Sequence, residues 1–456
     1  MFQIEVDKMS LYTFFARFNE NFTLFFVLPG LLFTGLYLSF RLRFLQITKL
    51  KLSAKSLLSK NQLEQGDISH YQALSAVIAG NLGTGNISGM AVALSTGGPG
   101  SLVWMWVMAF LGATVQYASC VLGVKYREKN ASGGYIGGPM YYLDKGLGLK
   151  KAAFLFSFVT LIAAITVGNF AQINSIILPI KSFGMNPLLC GIAMTALVAV
   201  VILGGINRLA KLASSVVPIM ALLYLLAALV VLGCNYQNII PSIKKMFVCA
   251  VGFKSFAGGA LGYGVIKALA VGFERGIFAT DAGTGIVPIL QSSARTKHPV
   301  IDGVVTLVAP FIVMVMCTTT GLILMVTGAF ERPDLESTNM VIYAFSKVLG
   351  QGIGSFVVIS SLALFAYTTI IAWGCCGDKA ATYLWGTKNA KWFQFLYIAL
   401  IPIGAIAKVK LVWVLADLSI SLMLVCNLLG VIGLSSEVIE GSKAFFLKEK
   451  QGNKLK

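Results

Sequence analysis

The sequence predicts an all-α integral membrane protein, because its apolar residues lie in long blocks joined by short connections. Hydrophobic residues make up 57% of the 456 residues and charged residues only 12%. About eleven blocks approach the roughly 20 residues that an α-helix needs to cross the hydrocarbon core of a bilayer. Clusters of glycine, a poor helix former, interrupt two of these blocks. Together these observations predict a bundle of about eleven spans in which two helices are discontinuous.

The blocks predict one transmembrane domain over residues 1–434 and a basic cytoplasmic tail over 435–456. Within the domain, 22–40 is expected to be an extra peripheral span. Residues 72–233 and 248–434 are expected to form two inverted repeats of five spans each, the arrangement of many secondary transporters. The predicted spans lie near residues 22–40, 72–95, 102–124, 152–180, 187–205, 212–233, 248–272, 303–328, 354–376, 392–407 and 411–434.

The net charge of +18 is distributed in a way that indicates membrane orientation. Basic residues follow predicted spans 1, 3, 5, 7 and 9, with Arg41 and Arg43 after the first and Arg275, Arg295 and Lys297 after the seventh. Because lysine and arginine collect on the cytoplasmic side of a membrane, we expect the N-terminus outside and the C-terminus inside a bacterial inner membrane. The charge therefore indicates topology, and no nucleic-acid partner is expected.

The second predicted span contains the first glycine cluster, Ala79–Gly89, in which four of eleven residues are glycine. Backbone leaves the helical ladder at membrane depth only where it is buried in protein or lines a cavity. We therefore expect two half-helices that meet near Gly83–Gly85, with freed N–H groups facing an anion and freed carbonyls facing a cation. Close helix packing through small residues is the alternative.

The second glycine cluster, Phe256–Gly264, comes five spans later. Two glycine-interrupted spans at corresponding positions of two halves are the best sequence indication of a transporter site. The segment that follows, Phe273–Pro299, is expected to be a connection on the inner side.

Polar side chains inside other predicted spans are further candidates for the site. Asn169, Gln172, Asn174 and Ser175 lie in the fourth span, where they serve either a binding site or interhelical hydrogen bonds. The hydroxyls of Thr368 and Thr369 in span 9 either bond back to their own helix or supply oxygen ligands to a small cation. Asp417 in span 11 is an intramembrane carboxylate near the outer face.

Other function classes are disfavoured by what the sequence contains. The two histidines, His70 and His298, lie outside the predicted spans, and the adjacent Cys375 and Cys376 do not have a metal-ligand spacing. An integral-membrane enzyme is therefore not expected, and an ATP-driven pump is disfavoured because the sequence contains no nucleotide-binding module. A passive channel would need rings of carbonyls or charges around a pore, and nothing in the sequence requires them.

Several stretches, taken in order, closely resemble the alanine or glycine:cation symporter family, over about residues 20 to 440. They are Gly83–Ile87, Gly97–Gly100, Trp104–Trp106, Gly137–Tyr142, Gly168-Asn169 with Gln172 and Asn174, Arg275–Phe278, Ala282-Gly283 with Gly285 and Pro288, His298-Pro299 and Leu364–Thr369.

The resemblance implies a leucine-transporter-type fold and sodium-coupled uptake of alanine or glycine. It implies that the backbone at Gly83, Thr84 and Gly85 receives the substrate carboxylate. The family's other substrate positions match Gln172 and Asn174, and match Phe256, Gly258 and Gly259 as the wall for the small side chain. Sodium ligands match the carbonyls around Ala79 and Leu82 and the hydroxyls of Thr368 and Thr369, and Asn86 matches a position that ligates a second ion in relatives of the fold.

The resemblance implies a co-transported sodium ion, membrane lipid around the bundle, no organic cofactor and no obligatory protein partner. The sequence departs from the family pattern at Ala279–Gly283, at Cys375–Gly377 and at Met423–Asn427, where the family has Ser-Asn-Glu-Ala-Gly, Tyr-Tyr-Gly and Met-x-x-Pro-Asn. The first two departures are expected on the inner side, where they affect gating and rate. Proton-coupled transport of another small amino acid is the alternative.

Overall fold

The computed structural model describes residues 11–57, 65–131, 133–182, 184–252, 259–407 and 409–454, and these residues are almost entirely helical. The helices of the first half are α1 (Leu11–Phe22), α2 (Leu28–Arg41), α3 (Leu45–Thr48), α4 (Leu50–Leu57), α5 (His70–Asn81), α6 (Ser88–Gly97), α7 (Gly100–Lys125), α8 (Pro139–Tyr141), α9 (Lys150–Ala163), α10 (Ala171–Ser182), α11 (Pro187–Ile202), α12 (Gly205–Cys234) and α13 (Ile239–Val251).

The second half begins with a 22-residue helix. Its helices are α14 (Gly259–Thr280), α15 (Ile286–Gln291), α16 (Pro299–Thr306), α17 (Ala309–Val326), α18 (Thr338–Leu349), α19 (Gln351–Ala399), α20 (Ile401–Ile406), α21 (Val409–Gly433) and α22 (Ser435–Lys454). Short π-helical segments lie at Thr23–Val27, Tyr142–Gly146 and Ala164–Phe170. Short 3-10 segments lie at Thr84–Asn86, Tyr236–Asn238 and Ala329–Glu331. Two short antiparallel strands, β1 (Glu128–Lys129) and β2 (Tyr135–Ile136), follow α7.

The apolar helices confirm a multi-pass membrane protein. Within the described residues, seven stretches are long and apolar enough to cross a membrane by length and composition. They are Thr13–Arg41, Gly100–Lys125, Lys150–Lys181, Gly205–Cys234, Pro299–Val326, Gln351–Ile406 and Val412–Gly433. The first discontinuous span is divided into α5 and α6, which are each too short for this criterion. Helix α19 contains a sharp bend at Gly386 (φ 78°, ψ 161°) that divides one long stretch in two. The count of about eleven spans and the repeat boundaries remain predictions.

The first discontinuity lies where the glycine cluster predicts it. Helix α5 ends at Asn81, a single 3-10 turn covers Thr84–Asn86, and α6 begins at Ser88. The far end of α5 is fixed by a capping box, in which Ser69 and Gln72 satisfy each other's backbone N–H groups. The break is therefore a defined structure between two well-formed half-helices.

The discontinuity that faces the first lies outside the predicted glycine cluster. Residues 256–258 of that cluster are outside the described residues, and residues 259–264 are part of the continuous helix α14. The chain leaves the helix instead at residues 281–285, where Asp281, Gly283 and Gly285 have φ angles of 51°, 89° and 91°. Residues 259–264 stay helical because one glycine weakens a helix by only about 1 kcal/mol, whereas positive φ angles end a right-handed helix.

The C-terminal segment is also more ordered than the predicted tail. Residues 435–454 form α22, on which Val438 and Ile439 are buried. The Tyr117 hydroxyl of α7 lies 2.7 Å from the Ser442 Oγ of α22. This helix therefore packs on the bundle at the end where α7 finishes, which we call the basic end because Lys125, Arg127 and Arg295 lie there.

Candidate functional site

The two discontinuities face each other in the middle of the bundle. The Asn81 Nδ2 group, at the end of α5, donates a hydrogen bond of 2.6 Å to the Thr280 carbonyl at the end of α14. Gly85 lies against Phe278, so that a Cβ atom added at Gly85 would be 2.9 Å from the Phe278 ring. The departures at Ala279–Gly283 therefore lie beside the first break, and the prediction that they belong to an inner connection was wrong.

Gln172 of α10 contacts the first break directly. Its Oε1 atom accepts hydrogen bonds from the Thr84 backbone N–H at 2.9 Å and from the Thr84 hydroxyl at 3.0 Å. Ser175, one turn further along α10, places its Oγ 3.1 Å from the Thr84 hydroxyl. All three residues are buried. The Thr84 N–H group, which the break frees from the helix, thus donates to a side-chain oxygen that another acceptor can replace. A carboxylate is a suitable acceptor for such an N–H group.

Asn174 lies on a different face of α10 from Gln172. Its Nδ2 atom is 3.2 Å from the Ala407 carbonyl and 3.5 Å from the Gly404 carbonyl. Asn169 likewise donates to the Tyr397 carbonyl at 2.9 Å. Because successive helical residues are about 100° apart, Gln172 and Asn174 do not share a face. The structure therefore places Asn174 and Asn169 in interhelical hydrogen bonds, away from the break.

The predicted sodium ligands are only partly brought together. The Thr369 hydroxyl donates to the Ala79 carbonyl at 2.8 Å, which joins α19 to the end of α5. Leu82 ends α5 with non-helical angles (φ −80°, ψ 64°), which turn its carbonyl out of the helical ladder. The Thr368 hydroxyl instead bonds back to the Leu364 and Phe365 carbonyls, both at 3.1 Å. An oxygen-rich position therefore lies between α5 and Thr369, and Thr368 faces its own helix.

Asn86 stabilises the first break through its side chain. Its Nδ2 atom donates to the Asn81 carbonyl at 2.8 Å and to the Gly83 carbonyl at 3.1 Å. Its Oδ1 atom accepts from the Cys317 thiol of α17 at 3.0 Å. In this conformation the amide therefore caps freed carbonyls, and its oxygen points toward α17.

The Gly259 position lies far from this centre. It is the first residue of α14, whereas the break follows the last. At 1.5 Å per residue the two are about 30 Å apart along the helix. Gly259 therefore lies far from the space between the breaks, where Phe278 contacts Gly85.

The basic end is closed by contacts that tie the inner half-helices together. Ile68, just before α5, forms a parallel bridge with Ala294, just after α15. The Arg127 guanidinium donates to the Ala294 carbonyl at 2.8 Å. The buried Lys379 of α19 donates to the Ile289 carbonyl at 2.8 Å, near the end of α15. These contacts hold both half-helices against the rest of the bundle.

We expect Lys379→Met to loosen this closure. The variant loses a charge-assisted hydrogen bond that contributes about 1.5 kcal/mol. The basic end is therefore expected to open about ten times more readily. Hydrogen–deuterium exchange of the backbone around Ile289 and Ala294 measures the opening of the basic end. Lys388→Met, at an exposed position of the same helix, is the matched control. Unchanged protection in the Lys379 variant would show that this contact does not close the basic end.

The opposite end is closed by a buried ion pair. Arg275 of α14 pairs with Asp417 of α21, and its guanidinium carbon lies 5.6 Å from the ring centres of both Phe278 and Trp413. Only about 10 Å³ of cavity remains beside Asp417, roughly the volume that one water needs. Arg275 is therefore a buried helix residue, and its assignment to an inner connection was wrong. Contacts of this kind therefore lie on both sides of the two breaks.

A model of the sodium:alanine symporter family matches residues 8–456 of the chain. The chain belongs to this family. Among its relatives, the sodium/alanine symporter AgcS of Methanococcus maripaludis is 39% identical over 431 residues, which cover 92% of this chain and 94% of that protein. The probable sodium/glutamine symporter GlnT of Bacillus subtilis is 34% identical over 430 residues, which cover 92% and 88%.

Solved transporters share the fold of this family member. The crystal structure of MhsT in complex with L-phenylalanine matches with a TM-score of 0.58 at 11% identity, covering 84% of this chain and 99% of that one. A substrate-bound, outward-open Na⁺-coupled sialic acid symporter matches with a TM-score of 0.55 at 14% identity, covering 87% and 82%. These likenesses confirm the leucine-transporter-type fold. The protein is a sodium-coupled amino-acid symporter and not an enzyme.

Sequence reasoning missed several residues of the site. Phe278 and the break at 281–285 were assigned to a connection, and Cys317 had no assigned role. The closely spaced Asp281, Gly283 and Gly285 were the available signal, because aspartate and glycine are the residues that most readily adopt positive φ.

Proposed function

We propose that this symporter imports a small neutral amino acid, alanine or glycine, together with sodium by alternating access. The observation that carries the proposal is the Thr84 N–H, which the first break frees and which Gln172 Oε1 accepts at 2.9 Å. A substrate carboxylate replaces this oxygen and gains a charge-assisted hydrogen bond. The N-terminus of α6, which begins at Ser88, adds favourable dipole charge.

The substrate ammonium is met by oxygen atoms of the same site. Once displaced from Thr84, the Gln172 Oε1 atom becomes an acceptor, and the Gly83 carbonyl belongs to the freed backbone. Both charges of a buried zwitterion must be paired, because an unpaired charge in a low-dielectric interior is very costly. Gln172 therefore changes partner between the empty and loaded states.

The close approach of Phe278 supports a small substrate side chain. A Cβ atom at Gly85 would come within 2.9 Å of the Phe278 ring, tighter than ordinary van der Waals contact. The space between the breaks therefore favours the hydrogen or methyl group of glycine or alanine over a longer side chain. The glutamine named for one relative is the competing substrate that this geometry disfavours.

Sodium is proposed to bind between α5 and α19. Its ligands are the Ala79 and Leu82 carbonyls and the Thr369 hydroxyl, with Thr368 joining after its hydroxyl rotates. An ion there strengthens the contact between the first half-helix and α19 and so favours the form that binds substrate, which is a coupling free energy. Asn86 is a candidate ligand of a second ion after an equivalent rotation of its amide.

The charge distribution supports one membrane orientation. We propose that the basic end faces the cytoplasm, with the N-terminus outside. The sodium gradient and the membrane potential then drive uptake. The potential contributes about 2.3 kcal/mol for each elementary charge moved across 100 mV. Substrate enters after the Arg275–Asp417 pair opens and leaves after the Lys379 and Arg127 contacts at the basic end open.

The test is uptake of radiolabelled alanine, glycine and glutamine into proteoliposomes that hold the full chain. An imposed sodium gradient is compared with a matched potassium gradient. We expect sodium-dependent uptake of alanine or glycine, each competing with the other, and little uptake of glutamine. Sodium-independent uptake, or preference for glutamine, would contradict the proposal.

A further inference from the structure

Asp281 is a buried carboxylic acid in the second break to which the transport scheme gives no role. Its side chain is 2% exposed, and its Oδ1 atom has no hydrogen-bond partner among the described residues. Its φ angle of 51° belongs to the turn that ends α14. An isolated ionised carboxylate in such a place would carry a large desolvation cost.

The surroundings of Asp281 offer no positive charge. Within the part of the chain that the structure describes, Asp281 forms no ion pair, since Arg275 pairs with Asp417 and Lys379 bonds to the Ile289 carbonyl. Helix α14 ends at Thr280, so its negative dipole end lies at this carboxyl. A cation at a helix C-terminus is stabilised, but a carboxylate is not.

The groups that face Asp281 from the packed elements are neutral. From α5, Asn81 reaches the neighbouring Thr280 carbonyl; from α21, Asn427 donates to the Gly283 carbonyl at 2.8 Å. Cys376 of α19 is a buried thiol. The unpartnered oxygen therefore has no protein cation to neutralise it.

We propose that Asp281 binds a proton between the two breaks and that this proton travels inward with the substrate. In the occluded conformation the carboxyl is protonated. When the basic end opens, water reaches the carboxyl, the O–H bond dissociates, and the proton leaves to the inside. When the loaded site closes from the outside, the carboxylate takes up a proton from that side.

The transport part of this inference rests on the proposed function, whereas the protonation itself does not. Infrared spectroscopy of the purified full chain therefore comes first, since the C=O stretching band of a protonated carboxyl is visible without transport. We expect such a band at neutral pH that is lost in Asp281→Asn. Asparagine adopts positive φ readily, so this variant keeps the backbone.

Asp302→Asn is the matched control. Asp302 is a fully buried carboxyl of α16 that accepts a hydrogen bond of 2.9 Å from Gln291 Nε2, near the basic end. The Asp281 band is expected to persist in this variant. A spectrum that is unchanged by Asp281→Asn would overturn the proton site, whatever the transport assays give.

The second readout is proton movement during sodium-driven uptake, followed with a pH-sensitive dye inside proteoliposomes. Wild type and Asp302→Asn are expected to acidify the interior in proportion to substrate taken up, and Asp281→Asn to lose that acidification. Substrate uptake by the wild type without acidification would overturn the co-transported proton. Failure of uptake with an intact infrared band would instead refute the proposed function and leave the proton site standing.

Discussion

Replacing Gly85 with leucine is expected to abolish alanine and glycine uptake while leaving the protein folded. The first atom of the new side chain would already lie 2.9 Å from the Phe278 ring, and the remaining atoms would fill the space between the two breaks. Uptake into proteoliposomes measures the loss, which we expect to exceed about 100-fold, since overpacking of 1–3 kcal/mol adds to the blocked site. Size-exclusion chromatography and thermal unfolding in detergent check the fold.

Gly89→Ala is the control for this substitution. Gly89 belongs to the same glycine cluster, but a Cβ atom there meets nothing within 4 Å. Its uptake is expected to remain close to that of the wild type. Normal uptake by the Gly85 variant would refute the position of the site between the breaks, and equal loss in both variants would show only that the cluster is sensitive to substitution.

Replacing Thr369 with alanine is expected to raise the sodium concentration for half-maximal uptake about tenfold. This corresponds to about 1.4 kcal/mol of ion binding. The Thr369 hydroxyl lies 2.8 Å from the Ala79 carbonyl and is the atom that joins α19 to the end of the first half-helix. At saturating sodium, the alanine concentration for half-maximal uptake is expected to change little.

Thr369→Ser and Thr368→Ala complete this experiment. Serine keeps the hydroxyl and should restore the sodium dependence. Thr368 directs its hydroxyl to carbonyls of its own helix, so its alanine variant should have the smaller effect. A sodium titration that Thr369→Ala leaves unchanged would remove this residue from the ion site.

The two breaks show how far glycine content predicts helix geometry. The first was correctly located because Gly83 precedes, and Gly85 lies within, a buried turn. The freed groups of this break find partners on α10 and α19. The break at residues 281–285 was not predicted, because the segment after residue 273 was taken as a connection, and the glycines at 259–264 fit inside α14. The break depends on φ angles at residues 281–285, and these are fixed by contacts such as Asn427 to the Gly283 carbonyl, which no local pattern contains.

Some of the candidate ligands were correctly predicted to lie at the first break, and others were not. Helical spacing identified polar side chains, but it did not say which neighbour each face meets. Gln172 reaches the break, whereas Asn174 bonds to backbone beyond α20. Thr369 faces α5, whereas its neighbour Thr368 faces inward along α19. The sequence thus identifies which polar side chains lie within the helices. Their hydrogen-bond partners depend on how helices that are distant in the sequence pack together.

The binding of sodium and alanine to the purified protein tests whether the two ligands are coupled through the site between the breaks. If the two ligands share the site between the breaks, sodium increases alanine affinity by some factor, and alanine increases sodium affinity by the same factor. Isothermal titration calorimetry in sodium and in potassium measures both factors. We expect the two factors to be equal and well above one, and both to decrease in Thr369→Ala. Alanine binding of equal strength in sodium and potassium would contradict this expectation.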